Sequence, residues 1–554
     1  MSHAKVPVSI QRPPDASAEA PIARSGGRRG TGWIPYSDAK VAYVAAVIVV
    51  LALGIYVRTM MPSTGFWDTA EAQTVPPTLS IFHPTGFPTY AILGWLWSLL
   101  PFGEVAWRMN LLSAVCVALA SGLVVLIAGH LVTVRHGVLA AAAAGVAGAA
   151  FAFASEPWEN ATRADVHALN VLFVALVTWL LLVWGAARRA SSPRADRWLV
   201  AAALTFGIGL GAHPLLGFTA PGIAAWLVAV DRRIWRRWRT LAACAALLAV
   251  GVIGSYAYIV IRSQINPDPP LFYARPETFE RLRYLIMAEQ FSGLFDGFGT
   301  PLADLGLKWQ RTEQILGRQF AGPGWLLAAV GAAILAVRRR GAFFMLLLTV
   351  LANVFYSMNF RDGDIDRYYM PTLVATAPLL GVALGAIGAL CASAVAESSR
   401  RLSATLGTRR RLAGVAGATV VSLGSLLAAA SLVGGYAAHD QSQNRDADAW
   451  VASVHRALPP NAVVISWWSY STPLWHHRWV LGERPDITII DDRNILDDGY
   501  RTMTRAVEAH LGRRPVYVVP PDWEYRRITE QWQTRTVSTY PGYTDLLLIE
   551  GPAT

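Results

Sequence analysis

The chain has 554 residues, of which 54% are hydrophobic and 15% charged, and a formal net charge of +11. Soluble domains carry about 25% charged residues, so this deficit, with several apolar runs of roughly 20 residues, excludes an ordinary soluble protein and points to a polytopic membrane protein. The positive balance does not mark a nucleic-acid binder, because the arginines cluster in short loops between apolar runs, as positive-inside sorting requires.

Residues 1–35 are rich in Pro, Ala, Gly and Arg without an apolar core. They are expected to form a disordered cytoplasmic tail, not a cleavable signal peptide. The first span is expected over 41–60, preceded by Lys5, Arg24, Arg28 and Arg29, which places the N-terminus in the cytoplasm and Asp68 outside. Residues 88–100 are too short for a crossing and bounded by prolines, so an interfacial or re-entrant helix is expected there. Further spans are expected at 107–132, 137–155, 166–187, 198–212, 214–230, 241–262, 321–337, 341–359, 368–391 and 412–436. Alternating sides, Arg135, Arg188–Arg197, Arg232–Arg239, Arg338–Arg340 and Arg400–Arg411 all fall inside. About eleven spans result, in a membrane domain over 36–437. Cys116, Cys244 and Cys391 lie within apolar segments and lack metal-ligand spacing, so neither a disulfide framework nor a zinc site is expected.

From 438 to 554 the pattern changes. Apolar runs shorten to strand length at 462–468, 486–491, 516–520 and 545–550, with a helical stretch at 500–511. A small extracytoplasmic α/β domain is expected, without a Gly-rich phosphate fingerprint.

This topology gathers the unusual polar residues on the outer side. Asp68, Glu71, His83 and Arg108 come from the first loop. Glu156, Glu159, Arg163, Asp165 and His167 come from the second, and His213 lies in a Gly-Ala-His-Pro turn. Arg262 opens a long loop over about 263–320, and Arg361, Asp362, Asp364, Asp366 and Arg367 precede the tenth span. Each has a bland reading. Asp68 could cap a helix, Glu71 could face water, Arg163 to His167 could form an inter-helix salt-bridge network, and His83-Pro84 could shape a rigid turn. The Asp362-Asp364-Asp366 spacing fails as a calcium loop, because Arg367 stands where glycine is needed. Gly207, Gly209 and Gly211 fit close helix packing better than a cofactor site. Taken together, an acidic pair with arginines at the membrane boundary suits a lipid-phosphate-linked substrate. Arg262, Arg361 or Arg367 would pair with phosphate, a carboxylate would accept the proton of an attacking hydroxyl, and the long loop would close as a lid.

Trp67-Asp68-Thr69-Ala70-Glu71, then His83-Pro84-Thr85-Gly86-Phe87-Pro88-Thr89-Tyr90, then Trp107-Arg108-Met109-Asn110-Leu111-Leu112-Ser113 resembles a family of GT-C membrane glycosyltransferases. Its bacterial members were formerly of unknown function, and its animal member is a protein O-mannosyltransferase. The segments Arg163–Asn170, Gly209–His213, Arg262–Pro267 with Pro276–Arg281, and Asp364–Tyr368 are similar to further family segments in collinear order. The resemblance implies the GT-C fold, a polyprenyl-phosphate sugar donor, inversion at the anomeric carbon, Asp68 as base and Glu71 in support. It implies substrate contacts from His83, Arg163, Asp165, His167, His213, Arg262, Asp364, Asp366 and Arg367. Thr69-Ala70, Asp165 and His167 depart from the family's usual Ser-Gly, Glu and Tyr.

The expected activity is transfer of a sugar, mannose being one candidate, to a hydroxyl of a secreted or membrane protein, or of a glycan, at the outer face of the plasma membrane. No cofactor is required by the sequence, although Asp68 and Glu71 could hold a divalent metal. No nucleic acid is expected as partner; membrane lipids are. A transporter or lipid-carrier flippase is the alternative, but it calls for charges near the bilayer midplane and repeated halves, and the charges here sit at span ends. A third possibility is an inactive scaffold that displays the C-terminal domain.

Overall fold

The computed structural model describes residues 38–133, 137–265, 270–297, 302–402, 404–493 and 499–553. The expected tail over 1–35 and Arg135 lie outside the described residues.

Seven described helices are long and apolar enough to cross a bilayer: Ala39–Thr59, Val105–Leu131, Val166–Arg189, Trp238–Ile265, Arg340–Asn359, Ile365–Arg401 and Leu406–His439. Gly137–Ala152 and Ser155–Ala161, bent by 64°, make an eighth if they count as one span. Asp196–Leu210, Pro214–Val230 and Gly324–Arg338 are shorter. Helix therefore occurs in every stretch where the sequence suggests a span, while seven, or up to eight with the bent pair, meet the length and hydropathy of a full crossing. Val105–Leu131 and Val166–Arg189 form the buried centre, and the outer helices expose Tyr43, Val50, Ile253 and Val433 where lipid would lie.

Small residues let the helices approach closely. A Cβ on Gly207 would sit 2.3 Å from the Leu248 carbonyl oxygen, and one on Gly251 2.7 Å from the Ile208 nitrogen. Gly207 is thus a packing point against Trp238–Ile265, while Gly209 meets Leu216 and Phe173.

The C-terminal region forms a five-stranded sheet from β1 (Val463–Ser466), β2 (Thr488–Asp491), β3 (Val516–Val519), β4 (Trp532–Ser538) and β5 (Leu546–Pro552), in the order β2-β1-β3-β5-β4. β1 pairs in parallel with β2 and β3, whereas β5 runs antiparallel to β3 and β4. Period-2 alternation splits β1: Val464 packs with Trp450, Tyr517 and Val519, and Val463 and Ile465 pack with Val516, Val518 and Ile549 on the other face. Four strands coincide with apolar runs in the sequence. β4 does not, because Trp-Gln-Thr-Arg-Thr-Val-Ser is an edge strand with mostly solvated side chains. The chain leaves β1 toward β2 on one side and returns to β3 on the other, so a topological switch point lies at the carboxyl ends of the parallel strands. The helix after β1, Trp468–Trp475, packs on the helix Trp67–Thr78 that carries Asp68.

Candidate active site

Asp68, in the first turn of Trp67–Thr78, and Glu71 lie three residues apart and therefore on one side of the helix. The helix is entered through Trp67 in the left-handed region (φ +56°), a conformation costing roughly 1–2 kcal/mol for a residue with a Cβ. The entering loop is tied down by buried amides. Gln73 accepts from the Gly65 N–H at 3.0 Å and donates to the Asn110 side-chain oxygen at 2.9 Å. Asn110 donates to the Met61 carbonyl at 2.8 Å and accepts from the Ala164 N–H at 2.8 Å, coupling this loop to the one before Asp165. Ser113 accepts from the Asp165 N–H at 3.0 Å, and Asp165 caps the helix Val166–Arg189 by accepting from the His167 N–H at 2.7 Å.

Arg367 is the hub. Its guanidinium donates to Asp68 at 2.7 Å and Asp165 at 3.0 Å, and lies 3.4 Å from Asp364. Asp364 also lies 3.5 Å from Arg163, which pairs with Glu159 at 3.2 Å. The other oxygen of Asp68 accepts from the indole N–H of Trp468 at 2.9 Å. Burial opposes the charge on Asp68. Arg367 outweighs it, helped by His83, Arg493 and the Trp468 N–H, and the carboxyl is held well below the usual carboxylate range.

Glu71, 1% exposed, accepts from the His83 backbone N–H at 2.8 Å and pairs with the His83 ring nitrogen Nδ1. Burial pushes Glu71 up against the pull of His83. Burial opposes a charge on His83, yet Glu71 raises its pKa overall. Single ligand atoms of Asp68, Glu71 and His83 lie within 4.8 Å of one another, a spacing that suits a divalent cation. Both oxygens of Asp68 and the His83 Nδ1 already have partners, so a cation would have to displace Trp468, Arg367 or the Glu71–His83 contact.

The remaining candidates separate. His167 and His213 lie with ring centroids 4.3 Å apart and planes tilted by 38° beside Tyr368, and His213 Nδ1 accepts from the Leu215 N–H at 3.1 Å. Arg262 donates Nε to the Leu79 carbonyl at 2.6 Å. Arg361 lies 3.1 Å from Asp296 and donates to the Gly293 carbonyl, and Asp366 pairs with Arg318. Arg108 donates to the Leu100 carbonyl at the end of Pro88–Ser98. Asp366, Arg361 and Arg108 thus have structural partners away from Asp68, while Asp165, Asp364 and Arg367 converge on it.

Three residues that sequence reasoning did not single out complete the surroundings. Trp468 follows the carboxyl end of β1, and Arg493 follows β2, with its guanidinium 4.3 Å from the Trp468 ring centroid. Tyr273 of the long loop lies 5.9 Å from the same ring and accepts from Gln290 at 3.0 Å. The position of Trp468 just past a parallel strand was the available signal, since such ends are where α/β sheets carry their ligands.

Residues 68–238 match the model of the protein O-mannosyl-transferase TMEM260 N-terminal domain. The mouse protein O-mannosyl-transferase TMEM260 is 24% identical over 501 residues, spanning 86% of this chain and 66% of the mouse protein. The Dictyostelium discoideum counterpart is 25% identical over 204 residues, 34% of this chain and 24% of the relative. The chain thus spans less than two thirds of either curated relative. ArnT from Cupriavidus metallidurans superposes with a TM-score of 0.57 in its apo state, at 15% identity, covering 92% of this chain and 98% of ArnT. ArnT bound to undecaprenyl phosphate gives 0.55, covering 91% and 97%. The chain shares the fold of ArnT and is similar in sequence to TMEM260. It is accordingly a multi-pass membrane protein with a C-terminal sheet domain, as its own helices and strands require.

Proposed function

We propose that this protein is a membrane glycosyltransferase that moves a sugar, mannose being the candidate its relatives' names suggest, from a polyprenyl phosphate to a hydroxyl of a protein or glycan outside the cytoplasm. The observation that carries this reading is Asp68, ionised and held between Arg367 of the membrane part and Trp468 of the C-terminal region. In the proposed step the acceptor oxygen attacks the anomeric carbon. The bond from that carbon to the phosphate oxygen breaks, the polyprenyl phosphate leaves with the electron pair, and Asp68 takes the acceptor's proton. One carboxylate suffices for such a single displacement, which inverts the anomeric centre. Asp165 and Asp364 share Arg367 and position it.

The electrostatics set a sequence of events. A carboxylate held far below its usual range is a weak base. A donor phosphate competes with Asp68 for the Arg367 guanidinium, and its arrival loosens that ion pair and returns basicity to Asp68 when substrate is present. Arg493, beside Asp68, supplies a second cation for the leaving phosphate. The region around Tyr273 and Gln290 covers the site and limits water. If a divalent cation binds, Asp68, Glu71 and His83 would hold it and it would offset phosphate charge; chelation followed by metal add-back reads this directly.

The testing experiment is Asp68→Asn in membranes supplied with lipid-linked sugar. Transfer is expected to fall at least about a hundredfold with folding and membrane insertion intact. Wild-type turnover in that variant would remove Asp68 from the role of base.

A further inference from the structure

At the end of the bundle opposite Asp68, the helices Val105–Leu131, Val166–Arg189, Ala220–Val230 and Arg340–Asn359 surround a cavity of about 300 Å³. Asp165 caps one end of Val166–Arg189 and Arg189 closes the other, so its 24 residues at 1.5 Å each hold the two sites roughly 35 Å apart. The lining includes Arg189, Arg339, Arg340 and His130, and, among the described residues, no acidic one. Arg339 donates to the His130 backbone carbonyl. The His130 Nε2 is buried without a hydrogen-bond partner among the described residues.

The neighbouring arginines are arranged differently. Asp231 pairs with Arg188 at 3.2 Å and Arg237 at 2.7 Å, and Asp196 lies 3.3 Å from Arg237. Arg188 and Arg237 thus come with carboxylates. Arg189, Arg339 and Arg340 have none among the described residues. Three guanidinium groups grouped without counter-charge repel one another, which is tolerable where an anion is bound.

The walls say what kind of anion. Leu182, Trp226 and Val230 line the same cavity. Trp226 spends its N–H on the Leu181 carbonyl at 2.8 Å and is seated by Gly185, where a Cβ would lie 2.5 Å from its ring. Phosphate alone gains nothing from these apolar surfaces, whereas a glycerophospholipid fits both: guanidinium groups for the phosphate, apolar walls for the glycerol and upper acyl chain. Trp235 and Trp238, 60% and 66% exposed on the segment after Val230, are residues of the headgroup boundary.

We propose that this cavity binds the phosphate of an anionic phospholipid, a site separate from the glycosyl-transfer reading and independent of it. Native mass spectrometry of the full-length protein in detergent, with added phosphatidylglycerol, phosphatidylcholine or inorganic phosphate, tests it. Phosphatidylglycerol should be retained about tenfold or more over phosphatidylcholine, and R189Q/R339Q/R340Q should abolish that preference. The variant R232Q/R233Q/R236Q removes the same charge from outside the cavity and should keep it. The single variants R189Q and R340Q should each lower retention about threefold, which keeps the test readable if the triple variant folds poorly. Equal retention of the two lipids by the wild type, an unchanged preference in the cavity variants or an equal loss in the control would overturn the proposal. Displacement of phosphatidylglycerol by millimolar inorganic phosphate would overturn the lipid as the source of the phosphate.

Discussion

Arg367 decides the electrostatics of the site because one guanidinium serves three carboxylates. Removing it leaves Asp165 buried and unpaired, and breaking a buried pair in this way costs on the order of 3–5 kcal/mol. Arg367→Gln should therefore lower the thermal midpoint in detergent by several degrees and abolish transfer. Arg367→Lys should recover little, because a point charge cannot reach Asp68, Asp165 and Asp364 at once. Recovery of wild-type stability by lysine would mean that the fork geometry does not matter. The Glu71–His83 pair makes a second prediction, in pH. Glu71 raises the His83 pKa above the ordinary value of about 6.5 despite burial. The charged ring is favoured in the folded state, so its contribution to stability is complete below that value and is lost as pH rises through the raised one. Measured midpoints should fall across that window in the wild type, and Glu71→Gln should shift the fall toward lower pH. Identical profiles would show that the Glu71–His83 pair carries no pH-dependent stability. How much of this was legible follows from distance along the chain. Asp68 and Glu71 share one helical turn, so adjacency in sequence gave adjacency in space. Trp468 meets Asp68 from 400 residues away, and no local pattern announces such a contact.

The helices obey a different constraint, close approach, and their glycines can be ranked by it. At Gly207 an added Cβ meets backbone, the Leu248 carbonyl oxygen at 2.3 Å, which cannot move aside as a side chain would. At Gly254, on the partner helix Trp238–Ile265, nothing lies within 4 Å. Gly207→Ala should then destabilise by about 1–3 kcal/mol through overpacking, while Gly254→Ala should be neutral or stabilise by up to about 1 kcal/mol through helix propensity. Detergent melts of the two variants compare one chemical change at two spacings, and equal shifts would refute the packing argument. The glycine run was legible as a packing surface because small residues inside an apolar helix have few other uses. The span lengths were less so. Hydropathy alone does not distinguish Asp196–Leu210, Pro214–Val230 and Gly324–Arg338 from full crossings, since the turn at His213 and the loop before Gly324 set where those helices start and stop. β4 escaped for the opposite reason: an edge strand needs no apolar run, only a neighbour's hydrogen bonds, and β5 supplies them.

At the scale of the whole molecule, the membrane part and the C-terminal sheet are joined where the chemistry is proposed to occur. Phe66 leaves the loop after Ala39–Thr59 and enters the C-terminal core, stacking on Tyr543 at 4.8 Å and meeting Tyr470 at 5.4 Å edge to face. Ser63 donates to the Asn444 carbonyl at 2.8 Å, and Gln441 N–H donates to the Thr59 carbonyl at 2.7 Å. Docking through Phe66 sets the distance from Trp468 to Asp68, two residues further on. Phe66→Ala opens a void at this junction costing on the order of 2–3 kcal/mol, somewhat less than a fully buried Phe→Ala. A docked state weakened by that amount spends more of its time with Trp468 and Arg493 withdrawn, so kcat should fall about tenfold or more while Asp68, Glu71 and Arg367 remain in place. Proteolysis near Asp440 should rise in parallel, and Phe66→Leu, which refills most of the volume, should restore both. The inactive-scaffold reading expects no turnover in the wild type. An independent membrane enzyme expects turnover that ignores Phe66. Parallel changes in cleavage and kcat are expected only if the sheet domain is a working part of the site, and cleavage that rises while kcat stays constant would separate docking from catalysis and discard that view.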